Sequence, residues 1–406
     1  PNTVEIKMLS REGRHLRLVA NSIGGGAIVC TRIQEWPVDL RGDAYEVLVV
    51  LEGSAEASVR ELLVGGDAVA LHRQTQGGRI LLHARQPAAL GAGTLAQIEE
   101  LPGVRHVWTA EPIFFVQRGE PLFVSATEMV ALAEERGCSL GQIALAYESA
   151  LLDLPPAEIL AETLRRYDVM QAAVHRGLES PPPMQLLPPS APQIYRAEAE
   201  GRLALGGLHT RAAVRAMAVM HVNGGMGVVC AAPTAGAAGT LPGVVVTLAE
   251  EQGLVGEKLA LTLLAASGVG LIVARRATFA AEVAGCQVEI GAAGAMAAAA
   301  VVEAAGGGAR QAADAAAIAF QNTMGLVCDL VQGIVEIPCH TRNAVAASSA
   351  FVCADLILGG YRNPIPLDET IDAVYAVGKM LPRELKVTAL GGLAITPSAQ
   401  ALERLR

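Results

Sequence analysis

From Ser125 onward the chain is written in runs of Ala, Gly, Val and Leu, and this most limits how it can fold. The stretch Gly291–Val302 is almost entirely Ala, Val and Gly. A helix that is apolar on every side must be covered on every side, and side chains this small let neighbouring backbones come close. Leu259–Ala274, between Lys258 and Arg275, is the most apolar run. It falls short of the roughly 18–20 apolar residues that a membrane span needs. The positive mean hydropathy of +0.38 raises a membrane reading, but short apolar runs and evenly spaced charges oppose it, so both stretches read as core helices. Helix boundaries are marked. Ser125 and Glu128 have capping-box spacing, Ser139 precedes the next apolar run, and Pro155-Pro156 opens another helix. Pro181–Pro192 holds six prolines and reads as an extended loop.

Upstream the pattern is different. Asn21–Gly26 (NSIGGG) reads as a glycine turn between strand-like runs. Strand-like Tyr45–Leu51, helical Ser54–Val64, strands Asp67–Arg73 and Arg79–Arg85 about a Gly77-Gly78 turn, helix Thr94–Leu101 with Thr94 and Gln97 as its cap, and strand Val104–Thr109 follow in order. That βαββαβ order predicts a ferredoxin-like unit. The fold class is therefore α+β: an N-terminal α/β region with a ferredoxin-like domain, then a large all-α domain.

The 406 residues carry a net charge of -9 and only 3% aromatics. An acidic, aromatic-poor chain argues against nucleic acid or an anionic membrane as partner. Seven cysteines, an odd number at long spacings and with no secretory signal, argue against a disulfide framework and for a reducing, cytoplasmic setting.

Three cysteines stand out. Cys286 lies in AGCQVEIG, Cys328 in GLVCDLVQG and Cys339 in EIPCHTRN, at spacings of 42 and 11 residues. No CxxC pair occurs, so neither a zinc ribbon nor a ferredoxin-type cluster is indicated. Spacing alone leaves two readings open, three buried thiols or a metal site. The polar neighbours Asp329, His340, Arg342 and Asn343 in an otherwise apolar region favour a site. A second feature is the small-residue loop Ala232–Gly243, ahead of a helix expected near Val244. Its amides could hold an anion, or it is an ordinary interhelical turn. Of the histidines, His209, His221 and His340 are candidate site residues. The four lysines, Lys7, Lys258, Lys379 and Lys386, offer no convincing Schiff-base site, so pyridoxal phosphate is not expected.

The segments AAPTAGAAGTLPG, EVAGCQVEIGAAGAMAAAA, NTMGLVCDLVQGIVEIPCHTRNA, ADLILGG, IPLDETIDAVYAVGKMLP and ALGGLAITP closely resemble the α-chain of bacterial iron–sulfur L-serine dehydratases, from about Ser125 to Pro397. NSIGGG and the βαββαβ unit resemble the latter half of that family's β-chain, which ends in an ACT domain. The resemblance implies residues 1–42 as a partial β-chain-like segment, 43–117 as an ACT-like domain and 124–406 as the helical catalytic domain. It implies a [4Fe-4S] cluster on Cys286, Cys328 and Cys339 with one iron lacking a protein thiolate. That iron would act as a Lewis acid in the β-elimination of water from L-serine, giving pyruvate and ammonia. Thr234, Ala235, Gly236 and Gly239 are then the candidate substrate-binding residues, and His340, Arg342 and Asn343 the candidate catalytic ones. A homodimer or an assembly with a second chain is expected. A related threonine dehydratase, a cysteine desulfidase, or a subunit inactive alone are the alternatives. The family's SSSHT-type loop has no counterpart in this sequence, which suggests a fragment or a loop supplied by another subunit. EGSAEASV stands where effector-binding ACT domains carry a proline-glycine turn.

Overall fold

Residues 45–51, YEVLVVL, are β-branched or apolar at nearly every position, as suits a strand covered on both faces. The computed structural model describes residues 2–405 except residues 12, 14, 67 and 69. The chain divides into two compact units, one made essentially of the residues up to Glu120 and the other of those from Pro121 on.

The first unit holds two four-stranded sheets. One has β1 (Thr3–Leu9), β2 (His15–Gly24), β3 (Ala27–Ile33) and β4 (Trp36–Leu40) in sequential order. The other has β5 (Tyr45–Leu51), β6 (Ala70–Gln76), β7 (Arg79–Gln86) and β8 (Val104–Ala110) in the order β6-β7-β5-β8. With α1 (Glu56–Val64) and α2 (Ala92–Glu100) this second sheet completes the expected βαββαβ topology. Val47, Val49 and Leu51 pack on Val59, Leu63 and Ile98 of the helices. Leu48 and Val50, on the opposite face, pack with Leu81 against Ile33 and Trp36 of the first sheet. The side-chain period of two thus places β5 in two cores at once.

Three details differ from expectation. Before Tyr45 the described residues form strands and no helix. The strand expected over 67–73 is observed at Ala70–Gln76, Asp67 and Val69 lying outside the described residues. The second helix starts at Ala92 with Gly91 as its cap, so Thr94 sits inside the first turn and caps nothing.

The second unit is helical: α3 (Ala126–Arg136), α4 (Leu140–Leu152), α5 (Pro156–Glu179), α6 (Ala191–Ala199), α7 (Leu208–Gly224), α8 (Thr240–Gln252), α9 (Gly256–Arg276), α10 (Ala281–Ala284), α11 (Ile290–Ala304), α12 (Ala309–Thr323), α13 (Cys339–Leu358), α14 (Leu367–Met380) and α15 (Pro397–Ala401). Ser125 Oγ accepts from Glu128 N as expected, and Ser139 with Gln142 completes a reciprocal box. The proline-rich loop ends earlier than expected, with Pro192 in the first turn of α6, and α8 begins at Thr240 rather than near Val244.

Helix α11 is the axis of this unit. Every residue from Ile290 to Val302 is buried, against α8, α9, α12 and α13. Helix α9 and the stretch Cys286–Ala304 are long and apolar enough to cross a membrane by length and composition, yet 67% and 89% of their apolar windows lie inside the helical unit. Close approach recurs where α8 meets α7: a Cβ on Gly243 would lie 2.6 Å from Ala212 O and 2.7 Å from Ala216 Cβ. Gly243→Val should therefore lower the stability of the helical unit by about 1–3 kcal/mol, the usual cost of overpacking. Urea unfolding followed by far-ultraviolet circular dichroism checks this, and an unchanged midpoint would show that the two helices separate freely.

Candidate active site

Two of the three conspicuous cysteines, Cys286 and Cys339, open a helical turn and Cys328 lies in a loop, and each adjoins a segment fixed by a buried polar side chain. Cys286 opens a short 3-10 turn ahead of α11. Gly285 before it has φ +76, and a Cβ there would lie 2.7 Å from Leu381 Cδ1 and 2.9 Å from Leu326 O, so only glycine fits. Gln287, fully buried, donates from Nε2 to Ala284 O (2.8 Å) and accepts at Oε1 from Gly325 N (2.8 Å), while its own N donates to Leu326 O. The Cys286 turn is thereby tied to the segment leading to Cys328.

Cys328 lies between two backbone hydrogen bonds, its N donating to Leu385 O and its O accepting from Val387 N. The buried Asp329 accepts at Oδ1 from Arg342 Nη2 (2.9 Å) and at Oδ2 from Leu393 N (2.8 Å). Arg342 also donates from Nη1 to Val327 O (2.8 Å). The GGL of the C-terminal ALGGLAITP motif thus grips Asp329 from one side and α13 from the other.

Cys339 is the first residue of α13, and one turn later comes Asn343, fully buried. Asn343 Oδ1 accepts from Gly239 N (3.1 Å), Thr240 N (3.0 Å) and Thr240 Oγ1 (3.0 Å). Its Nδ2 donates to Gly236 O and Cys339 O, both at 2.9 Å. One carboxamide therefore joins the Thr234–Gly239 loop, the start of α8 and the Cys339 turn. The same loop reaches α11: Thr234 Oγ1 donates to Glu289 Oε1 at 2.7 Å.

These constraints bring Cys286 Sγ, Cys328 Sγ and a Glu289 carboxylate oxygen within 4.8 Å of one another. Cys339 is close enough that Cys286 and Glu289 raise its thiol further, after burial itself. The Cys328 thiol is raised first by its hydrogen bond to Cys286 and then by burial. Burial pushes Glu289 up to about 7. None of the cysteines is in a disulfide. Buried thiols crowded together this way stay protonated in the ordinary pH range, and a thiolate-binding cation that displaces those protons relieves the crowding.

Residues 127–394 match the family model described as serine dehydratase alpha chain. This chain belongs to the serine dehydratase alpha-chain family. It is 38% identical over 284 residues to the "Probable L-serine dehydratase, alpha chain" of Bacillus subtilis (strain 168), covering 70% of this chain and 95% of that protein. It is 34% identical over 282 residues to the "L-serine dehydratase, alpha chain" of Peptoniphilus asaccharolyticus, covering 69% and 97%. The longer "L-serine dehydratase" of Streptomyces coelicolor is 34% identical over 287 residues, covering 67% of this chain and 61% of that protein. The part matching the serine dehydratase alpha chain contains all three cysteine segments and the small-residue loop.

Within this serine dehydratase alpha-chain unit, Thr234, Gly236 and Gly239 are joined to Asn343 or Glu289 by the bonds above. Asn343 takes the Gly239 amide, while the Ala235 and Gly236 amides have no acceptor among the described residues. His340 is buried against His221, ring centroids 5.1 Å apart. His221 Nε2 accepts from Ser190 N and Ala191 N, and the His340 ring has the Val335 backbone alone as a hydrogen-bonding neighbour among the described residues. His209 instead packs on Phe351. Lys258 and Lys379 are exposed on helices. Sequence reading missed Glu289. The signal was a lone acid three residues after Cys286, on the helix start that Cys286 leads into.

Two outcomes follow from this geometry. Asn343→Leu strands the Gly239 and Thr240 amides, each worth about 1–3 kcal/mol when left unpaired in the interior, and urea unfolding should show a loss of at least about 2 kcal/mol. A loss below experimental scatter would mean that the loop repacks without this link. The second outcome concerns acid. Burial, reinforced by His340, holds His221 down at about 4, and burial holds His340 at about 4. The unfolded chain takes up these protons near the ordinary histidine range while the folded unit refuses them, so the two histidines draw stability down as pH falls from about 6.5 to 4. Glu289, raised in the folded state, acts with the opposite sign between about 7 and 4.5. The comparison that isolates His221 is wild type against His221→Gln, which keeps an acceptor for both amides. The urea midpoint of the variant should fall less between pH 7 and 4.5, and equal falls would contradict the buried-neutral assignment.

Proposed function

We propose that the chain is an L-serine ammonia-lyase, removing water from L-serine to give pyruvate and ammonia. What supports this reading is the convergence, in one helical unit, of three buried cysteine segments on the loop that carries Thr234, Ala235, Gly236 and Gly239. In this reading Cys286, Cys328 and Cys339 hold a [4Fe-4S] cluster. Their buried thiols, long spacings and lack of disulfides suit a cluster with one iron left for substrate. When bound, such a cluster supplies a Lewis acid that makes the serine hydroxyl a better leaving group.

The chain's own residues would do the rest. In this reading the Ala235 and Gly236 amides, which have no acceptor among the described residues, receive the substrate carboxylate. Among the candidate catalytic residues, Arg342 is engaged with Asp329 and Val327 O, and Asn343 with five partners. Both position the cysteines and the loop. His340 is the least engaged of the three, and in this reading it takes the proton, against a burial that holds it below the ordinary histidine range. The product aminoacrylate would become the imine and hydrolyse in water.

The proposal extends to the rest of the chain. Residues 1–42 are taken as a partial β-chain-like segment, 43–117 as an ACT-like domain and 124–406 as the catalytic domain. The ferredoxin-like strand order of β5–β8 supports the middle assignment. The protein would work in the cytoplasm, as a homodimer or with a second chain. The test is anaerobic reconstitution with iron and sulfide, followed by a serine-to-pyruvate assay on the same sample. Brown colour and pyruvate are expected in the wild type, and both should be lost in Cys328→Ala. A protein that stays colourless would contradict the cluster, and colour without pyruvate would contradict activity of the chain by itself.

A further inference from the structure

Glu289 is the one carboxylate at the site that its surroundings leave uncompensated. Asp329 is paired with Arg342 and accepts from Leu393 N. Glu336, also buried, accepts from the backbone amides of Gln185, Leu186 and Leu187. Glu289 receives a single hydrogen bond, from Thr234 Oγ1. Among the described residues no Lys, Arg or His forms an ion pair with it, and its charged neighbour Glu282 has the same sign. A half-buried carboxylate without a cation keeps its charge at a cost, which is relieved by taking up a proton or by a positive ligand that completes it.

Its position says what that ligand must also touch. A Cβ on Gly236 would lie 3.4 Å from both Glu289 carboxylate oxygens, so the carboxylate faces the loop segment whose Ala235 and Gly236 amides are unengaged. On its other side the carboxylate lies within 4.8 Å of Cys286 and Cys328. Donors for an anion and an acceptor for a cation thus stand side by side. An α-amino acid presents a carboxylate and an ammonium on the same carbon.

We infer that Glu289 is the counter-ion for the α-ammonium group of the substrate, so that the loop amides and Glu289 together read both charged ends of an amino-acid zwitterion. This deepens, and rests on, the serine-dehydratase reading. Thr234 then acts as a positioning residue, fixing one carboxylate oxygen and leaving the other for the ligand. The pair would select amino acids against 3-hydroxy acids that lack the ammonium.

The experiment uses the reconstituted protein and compares wild type, Glu289→Gln and Glu289→Asp. Glutamine keeps the size and the acceptor for Thr234 but not the charge. Iron content and the cluster absorption band should be the same in all three. The KM for L-serine should rise about 10- to 100-fold in Glu289→Gln, the factor that a hydrogen bond to a charged group is worth, with kcat changed far less, and Glu289→Asp should recover part of the loss. A second readout does not need turnover: calorimetric binding of L-alanine against propanoate. Wild type should prefer L-alanine, and Glu289→Gln should bind the two alike. Loss of iron in Glu289→Gln with retention in Glu289→Asp would make Glu289 a cluster ligand and overturn the inference, as would an unchanged L-alanine preference. If wild type makes no pyruvate, activity of the chain by itself is contradicted, while the L-alanine and propanoate comparison still decides the role of Glu289.

Discussion

Burying one helix on all sides is the constraint from which the rest of this structure follows. Helix α11 has no solvent face from Ile290 to Val302, so four helices must approach it at once, and Ala and Gly are what allow the approach. A backbone so enclosed is rigid at its start. That start is where Cys286 leads in and Glu289 follows. The site is therefore mounted at the start of a fully enclosed helix, although the residues that complete it come from loops.

Those loops are held by polar side chains that are mostly buried and well partnered. Gln287, Asp329, Arg342 and Asn343 each bridge separate segments, and Glu336 anchors the proline-rich stretch near Cys339. A buried amide or carboxylate with all its partners specifies one arrangement, and with one partner missing it carries a desolvation cost. The cysteine segments thus gain their mutual placement from hydrogen bonds specific to this geometry and not from apolar packing, which is tolerant of shape. The exceptions, Glu289 with one bond and His340 with the Val335 backbone alone beside its ring, are the places where polar capacity remains for chemistry.

Much of this was legible in the sequence because it was local. The βαββαβ order, the Gly77-Gly78 turn and the Ser125 and Ser139 caps follow from periodicity and turn chemistry over a few residues. The two core helices could be read from composition. Thr94 as a cap failed because Gly91 already ends the preceding turn and starts the helix three residues earlier. Before Tyr45 only strand-like runs about the glycine turn were visible, and the bounds of the strands were not, because they are largely solvated with little alternation to count. At the site, the cysteines and the polar residues beside them were visible, but their functions in the framework were not. That Asn343 spends its carboxamide on Gly239 and Thr240, over a hundred residues away, is a property of the folded chain. Glu289 was passed over because an acid at a helix start usually interacts with the helix dipole and nothing more.

The central claim is that Cys286, Cys328 and Cys339 gather around a single four-iron cluster with one iron left for substrate. Mössbauer spectroscopy of the ⁵⁷Fe-reconstituted protein, with and without L-serine, tests it most directly. The account predicts a four-iron spectrum in which one iron site alone changes its isomer shift and quadrupole splitting when L-serine is added. A spectrum of two-iron clusters or mononuclear iron, or a four-iron spectrum indifferent to L-serine, would contradict it.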